Sequence, residues 1–157
     1  MHKRARILVI DDDESIRKVL ATILEEKGFI VDTAKDGKEA IKKSKEKFYN
    51  LALMDIRLPD TNGTKLLTKI RDTTPKMRKI IITGYPSLQN VVEALNKGAD
   101  AYITKPFDMD KVLKTIEEQL KKQEEEKKYC QEKVTEFIET RVKELEEEKT
   151  AAHKKLR

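Results

Sequence analysis

Two kinds of segment alternate five times along residues 1–120, and this alternation restricts the possible folds more than any other feature. Short runs of β-branched and aliphatic residues predict strands at 6–10, 29–33, 51–54, 79–83 and 101–104. Each run is followed by apolar residues at helical spacing. Five successive strand–helix units predict a parallel sheet covered by helices on both faces. Right-handed crossovers then favour a doubly wound, five-stranded α/β fold.

The predicted helices differ in how clearly their apolar positions mark one face. The first carries Ile16, Val19, Leu20, Ile23 and Leu24, a regular stripe that predicts a core-facing side. The remaining four are marked by Ala40 and Ile41; by Leu66, Leu67 and Ile70; by Leu88, Val91, Val92 and Leu95; and by Met109, Val112, Leu113, Ile116 and Leu120.

Polar residues follow four of the predicted strands and are expected to share one edge of the sheet. Three acids at 11–13 follow the first strand, Asp55 follows the third, Thr83 ends the fourth and Lys105 follows the fifth. Ligands bind outside the carboxyl ends of strands in such folds. Clustered carboxylates repel one another, and a bound divalent cation relieves that repulsion. Mg²⁺ is the usual cation at protein sites that also bind phosphate. A carboxylate in this setting can accept a phosphoryl group. Taken alone, the three acids would equally suit the first turn of a helix.

Four segments in order resemble the receiver domain of two-component response regulators. They are ILVIDDDESIR, LALMDIRLPDTNG, KIIITGYPS and GADAYITKPF, and the resemblance covers roughly residues 4–120. It implies a flavodoxin-like (βα)5 fold. It also implies a signalling switch, not an enzyme with turnover, that accepts a phosphoryl group from a sensor histidine kinase.

The resemblance assigns a role to each residue at the expected site. Asp55 matches the phosphoacceptor, while Asp11 and Asp12 match the acidic pair that binds Mg²⁺. Asp12 would be the more direct ligand, with Asp11 acting mainly through water. The backbone carbonyl of Arg57 matches the third protein ligand, and Lys105 matches the lysine that pairs with the phosphoryl group.

Further residues match the family's switching elements. Thr83 matches the switch hydroxyl and Tyr102 the aromatic residue that turns inward with it, which would alter the surface around the fourth helix, fifth strand and fifth helix. Pro106 matches a proline whose preceding peptide bond is typically cis. Arg57 and Tyr85 are bulky and are expected to hinder the attacking water, which would lengthen the life of the phosphorylated state.

Residues 108–157 contain no Gly and no Pro and predict one long charged helix. The 4-3 spacing of its apolar residues continues past residue 120 through two polar positions, Gln123 and Lys127, and then through Cys130, Val134 and Phe137. A shifted seam follows at Ile138, Val142, Leu145, Ala152 and Leu156. We expect a receiver domain at 1–120 and a coiled-coil extension at 121–157 that forms a homodimer. The last segment also resembles signalling helices that link receivers to later domains, so a longer natural protein is one expectation.

Composition excludes several other classes. Cys130 is the only cysteine, which fits a reducing, cytoplasmic compartment, and no apolar run approaches a membrane span. The net charge of +5 is too small and scattered to predict direct nucleic-acid binding.

Three alternative functions remain open from the residues. A phosphatase with an aspartyl-phosphate intermediate would usually place a second Asp two residues after the nucleophile, where Arg57 stands. A scaffold for the coiled coil would need no phosphorylation. A nucleotide-binding protein is the weakest alternative, because the chain has neither a P-loop nor a G-x-G-x-x-G segment.

Overall fold

The computed structural model describes residues 4–71, 73, 75–84 and 86–155, in which five parallel strands form one sheet. The strands are β1 Arg6–Ile10, β2 Ile30–Ala34, β3 Leu51–Met54, β4 Arg78–Thr83 and β5 Ala101–Thr104. Their order in the sheet is β2-β1-β3-β4-β5. The predicted doubly wound α/β fold is therefore confirmed, with the order of the strands reversing between β1 and β3.

Five helices alternate with these strands. They are α1 Glu14–Glu26, α2 Gly37–Glu46, α3 Gly63–Lys69, α4 Leu88–Asn96 and α5 Met109–Lys155. Several begin at side chains that accept hydrogen bonds from free helix amides: Asp13 caps α1, Asp36 caps α2, Asn62 caps α3 and Ser87 caps α4. After α1 and α4, Gly28 and Gly98 have φ of 96° and 105°, the left-handed conformation that ends many helices.

The apolar core lies on both faces of the sheet. Alternate residues of β1 enter different layers, Leu8 and Ile10 on one side and Ile7 and Val9 on the other. The first layer includes residues of α2, α3 and α4, and the second includes residues of α1 and α5. Each fully buried aliphatic side chain contributes about 1.5–3 kcal/mol relative to exposure. Packing on both faces thus holds the sheet in place and, with it, the polar residues that follow its strands.

Two predicted core faces need correction. Val19 in α1 is 50% exposed, although its neighbours Leu20 and Leu24 are buried. In α4 the buried residue is Ala94, whereas Leu88, Val92 and Leu95 are exposed. The spacing of apolar residues predicted α4 correctly but not the side of α4 that faces the sheet. That side carries the small residue Ala94, which the stripe of larger apolar residues does not include.

The chain divides into two units, residues 1–123 and 124–157. Gln123 belongs to the first unit, where it is buried and donates from Nε2 to the carbonyls of Asn50 at 2.9 Å and Lys76 at 2.8 Å. The prediction that Gln123 lies in a coiled-coil seam is therefore wrong: its amide instead satisfies main-chain carbonyls beside the sheet.

The second unit, taken by itself, is helical as far as Lys155. Up to Lys155 its large apolar side chains are exposed: Tyr129, Val134, Phe137, Ile138, Val142 and Leu145. Cys130 is exposed as well, and the predicted seam position Leu156 lies outside the described residues. Among the residues that the structure describes, no helix is both long and apolar enough to cross a membrane.

Candidate functional site

The carboxyl ends of β1 and β3 bring together the acids predicted from the sequence. Asp11 follows β1 and Asp55 follows β3, and these two strands are neighbours in the sheet. Carboxylate oxygens of Asp11, Asp12 and Asp55 all lie within 4.8 Å of one another. Asp11 and Asp55 are buried and Asp12 is exposed, so the cluster opens to solvent on one side.

Lys105 joins the two buried carboxylates. Its Nζ lies 2.8 Å from Oδ2 of Asp11 and 2.9 Å from Oδ2 of Asp55. Burial by itself would lower the pKa of Lys105, but the hydrogen bonds and charges of the two acids outweigh it and raise that pKa. The ammonium therefore stays charged and offsets part of the repulsion between the carboxylates.

Asp11 is held by several contacts beyond Lys105. Burial, the largest effect, raises its pKa, although Lys105 and the amide of Asp13 act in the opposite direction. The amide of Asp13 donates to Oδ1 of Asp11 at 2.9 Å, and Nη1 of Arg17 donates to the Asp11 carbonyl at 2.7 Å. The third acid of the run, Asp13, instead caps α1 through the amides of Ser15 and Ile16. The helix-start interpretation of the acidic run thus holds for Asp13, whereas Asp11 and Asp12 lie in the cluster of carboxylates.

The loop after Asp55 depends on a glycine whose importance the sequence did not reveal. The amide of Gly63 donates to the carbonyl of Ile56 at 2.6 Å. A Cβ at position 63 would lie 2.5 Å from the Asp55 carbonyl oxygen and 2.7 Å from Cα of Ile56. The sequence does not predict this contact, because it depends on how the loop folds back against the end of β3.

β4 and β5 position the next residues of the site: Thr83 ends β4, Tyr102 lies in β5 and Lys105 follows β5. Thr83 is the last residue of β4 and is buried, and its carbonyl accepts from the amide of Lys105 at 2.8 Å. The Lys105–Pro106 peptide bond is cis, as the family resemblance implied. Arg57 is exposed, and its amide donates to Oδ1 of Asp55 at 3.2 Å.

The side chain of Tyr102 is partly buried and packs against the core. Within the described part of the chain, its buried hydroxyl has no hydrogen-bond partner. Burial, followed by the charge of Asp55, raises the pKa of this hydroxyl. Tyr85, predicted to affect the life of the phosphorylated state, lies outside the described residues.

The family model of the response regulator receiver domain matches residues 7–117. The chain belongs to this family. It is a receiver domain related to phosphorylation-dependent response regulators, and receiver domains are signalling domains.

Individual receivers are similar over the same part of the chain. The transcriptional regulatory protein ZraR of Klebsiella oxytoca is 40% identical over 114 residues, which cover 73% of this chain and 26% of that protein. The chain thus spans about a quarter of the length of this curated relative.

Two solved receivers have the same fold. A CheY-like receiver domain protein from Methanospirillum hungatei has a TM-score of 0.76 and 47% identity, covering 79% of this chain and 99% of that one. The beryllofluoride-activated NtrC4 receiver domain dimer has a TM-score of 0.70 and 40% identity, covering 75% and 98%.

Proposed function

We propose that Asp55 accepts a phosphoryl group from a sensor histidine kinase. The observation that carries this proposal is the cluster of three carboxylates within 4.8 Å, bridged by Lys105 between Asp11 and Asp55. In the transfer, a carboxylate oxygen of Asp55 would form a bond to phosphorus as the bond from phosphorus to the donor's histidine nitrogen breaks.

Mg²⁺ fits the donor set of this cluster. All the side-chain donors are carboxylate oxygens, the ligands preferred by hard divalent cations, and Lys105 bridges only two of the three acids. We propose Asp11, Asp12, Asp55 and the Arg57 carbonyl as its ligands. When bound, Mg²⁺ supplies positive charge that offsets the charge of the phosphoryl oxygens.

Thr83 and Lys105 complete the proposed chemistry. The Lys105 ammonium would exchange part of its contact with Asp55 for a phosphoryl oxygen, and the Thr83 hydroxyl would donate to another. Arg57 cannot act as the general acid that an aspartyl-phosphate phosphatase needs, which favours a switch over an enzyme with turnover. Slow loss of the phosphoryl group to water would reset the switch.

We propose that Tyr102 and α4 transmit the effect of phosphorylation from the site to the protein surface. The Tyr102 hydroxyl is buried without a hydrogen bond among the described residues, so a movement of Thr83 that offers it a partner would favour a new position. The neighbouring α4 exposes Leu88, Val92 and Leu95, and Leu88 is 82% exposed. We propose that this apolar face, with β5 and the start of α5, is the surface that phosphorylation alters.

For the domain organisation, we propose a receiver at 1–120 and a helical extension at 121–157, in which the part after Gln123 forms a coiled coil with a second copy. The exposed apolar residues of the second unit support this proposal, because such side chains at helical spacing are usually covered by a partner. NtrC4, whose receiver is 40% identical to this chain, was solved as a dimer of its activated receiver.

The phosphotransfer chemistry can be tested by intact mass after incubation with acetyl phosphate, a small phosphoryl donor. We expect one added phosphoryl group on the wild-type chain in the presence of Mg²⁺ and none in its absence. Asp55→Asn should remain unmodified, whereas Asp13→Asn, which removes an acid outside the cluster, should be modified normally. Equal modification of Asp55→Asn would contradict the assignment of the acceptor.

A further inference from the structure

The loop between β3 and α3, residues 55–62, carries two groups of the proposed site, the Asp55 carboxylate and the Arg57 carbonyl. Within the loop, Arg57 and Asn62 form an isolated bridge, and the amide of Leu58 donates to the Thr61 carbonyl at 3.3 Å. The amide of Arg57 also donates to Oδ1 of Asp55 at 3.2 Å. The Gly63 amide fixes the far end of the loop to Ile56. These contacts join parts of the loop to one another, and a contact with a different element would fix the loop as a whole.

Asp60 provides a contact from the middle of this loop to a different helix. Its Oδ1 accepts from the amide of Gly37 at 2.8 Å, and its Oδ2 accepts from the amide of Lys38 at 2.9 Å. These are the first two amides of α2, which have no partner within the helix. The hydrogen bond from Gly37 is the main cause that lowers the pKa of Asp60, and the positive end of the helix also favours its charge.

The loop and α2 approach each other closely at this point. A Cβ at Gly37 would lie 2.4 Å from Cγ2 of Thr61 and 3.2 Å from Oδ1 of Asp60. Position 37 has no left-handed backbone that demands glycine, so the contact with the loop is what restricts it.

α2 already has a cap of its own. Asp36 accepts from the amide of Glu39 at 2.8 Å, as an N-cap residue ordinarily does. The two hydrogen bonds that Asp60 accepts therefore do more than satisfy the first amides of α2. They also fix to this helix a loop that lies more than twenty residues away in the chain.

We propose that Asp60 is a positioning residue that sets the Mg²⁺ affinity of the site by fixing the loop that carries Asp55 and the Arg57 carbonyl. This inference rests on the proposed function. Groups that orient metal ligands from behind commonly alter metal affinity by about 10–100-fold when they are removed. Asp60 itself touches none of the three clustered carboxylates and none of the reacting atoms.

Calorimetric titration of the full chain with MgCl₂ tests this role. We expect Asp60→Ala to weaken Mg²⁺ binding about tenfold, and Asp60→Asn, which keeps one acceptor oxygen, to weaken it less. Asp36→Ala is the matched control, because it removes a carboxylate from the same helix terminus without touching the loop. Its Mg²⁺ affinity should stay close to that of the wild type.

Gly37→Ala gives an independent variant that leaves Asp60 in place. Its new methyl group would displace Thr61, so we expect weaker Mg²⁺ binding here also. Thermal melting of each variant establishes that the chain is folded at the temperature of the titration.

The outcomes separate this inference from the proposed function. Unchanged Mg²⁺ affinity in Asp60→Ala, or an equal loss in Asp60→Ala and Asp36→Ala, would overturn the positioning role and leave the site intact. If the wild-type chain bound no Mg²⁺, the proposed metal site itself would be wrong, and this inference with it.

Discussion

At the scale of single residues, a buried tyrosine and a carboxylate couple stability to pH. Tyr49 is fully buried, and its hydroxyl donates to Oδ2 of Asp32 at 2.7 Å. Burial alone would raise the pKa of Asp32, but the hydrogen bond from Tyr49 and the charges of Lys47 and Lys43 outweigh it and lower that pKa. A carboxyl with a lowered pKa stabilises the fold above its unfolded pKa, and this contribution is lost as the pH falls through the folded value.

Tyr49→Phe should therefore lower the free energy of unfolding by about 1.5 kcal/mol at pH 7, because a hydrogen bond to a charged group is lost. The difference from the wild type should shrink as the pH falls below the ordinary Asp value of 3.8. Urea unfolding at several pH values measures this.

Tyr102→Phe is the matched control for that substitution. Its hydroxyl is buried without a hydrogen bond among the described residues, so its removal should cost no stability. A Tyr49→Phe difference that stays constant from pH 7 down to acid would contradict the account of Asp32.

Sequence reasoning found the residues whose position follows from a strand end. Asp11, Asp55 and Lys105 were predicted to meet because parallel strands end at one edge of the sheet, and the structure brings their charged groups within hydrogen-bond distance. Asp60 was missed because its partners lie more than twenty residues away in the chain. Gly63 was missed because its contact with Asp55 and Ile56 depends on how the loop folds back. Gln123 was misassigned because it continues the spacing of the apolar residues in α5. A polar residue at such a position can lie in a coiled-coil seam or be buried with its side chain hydrogen-bonded, and the sequence does not distinguish the two.

At the scale of elements, strand bounds were predictable to within one residue, while the burial of helix faces was not. Strand β2 starts at Ile30 and ends at Ala34, one residue later than predicted, and β4 begins one residue earlier, at Arg78. A short run of β-branched residues between two turns leaves little choice of where a strand begins and ends. In α4, by contrast, apolar residues occupy more than one side, and the choice of the Ala94 side depends on packing that only the fold supplies.

The second unit yields a prediction at this scale. Ile138 and Val142 are exposed and lie one helical turn apart. If they pair with a second copy, replacing both by Glu should bring like charges into the seam and convert the dimer to a monomer. Sedimentation velocity of the full chain would show this.

Thr140→Glu provides the control, because residue 140 lies on the other side of the helix from these two positions. It should leave the dimer intact. A wild-type chain that sediments as a monomer at the same concentration would contradict the proposed pairing.

At the scale of the whole molecule, the receiver carries a local excess of negative charge within a chain whose net charge is +5. Three carboxylates are clustered there and Lys105 bridges two of them, so we expect electrostatic strain among the acids at that edge of the sheet. A divalent cation would relieve this strain only in the folded state, because the unfolded chain does not hold the acids together.

Mg²⁺ should therefore raise the melting temperature of the wild-type chain. At a free concentration ten times its Kd, the expected stabilisation is about 1.4 kcal/mol. Asp12→Asn should lose most of this gain, and Asp13→Asn, whose side chain caps α1, should retain it. Equal stabilisation of both variants by Mg²⁺ would place the ion elsewhere.

The central claim is that Asp55 is the residue that carries the phosphoryl group, and chemical trapping tests it most directly. Borohydride reduces an aspartyl phosphate to homoserine, so peptide sequencing by mass spectrometry after acetyl phosphate, Mg²⁺ and borohydride identifies the modified position. The account predicts homoserine at position 55 alone, and only when Mg²⁺ is present. Homoserine at position 11 or 12, or an unmodified Asp55 in a chain shown to carry a phosphoryl group, would contradict it.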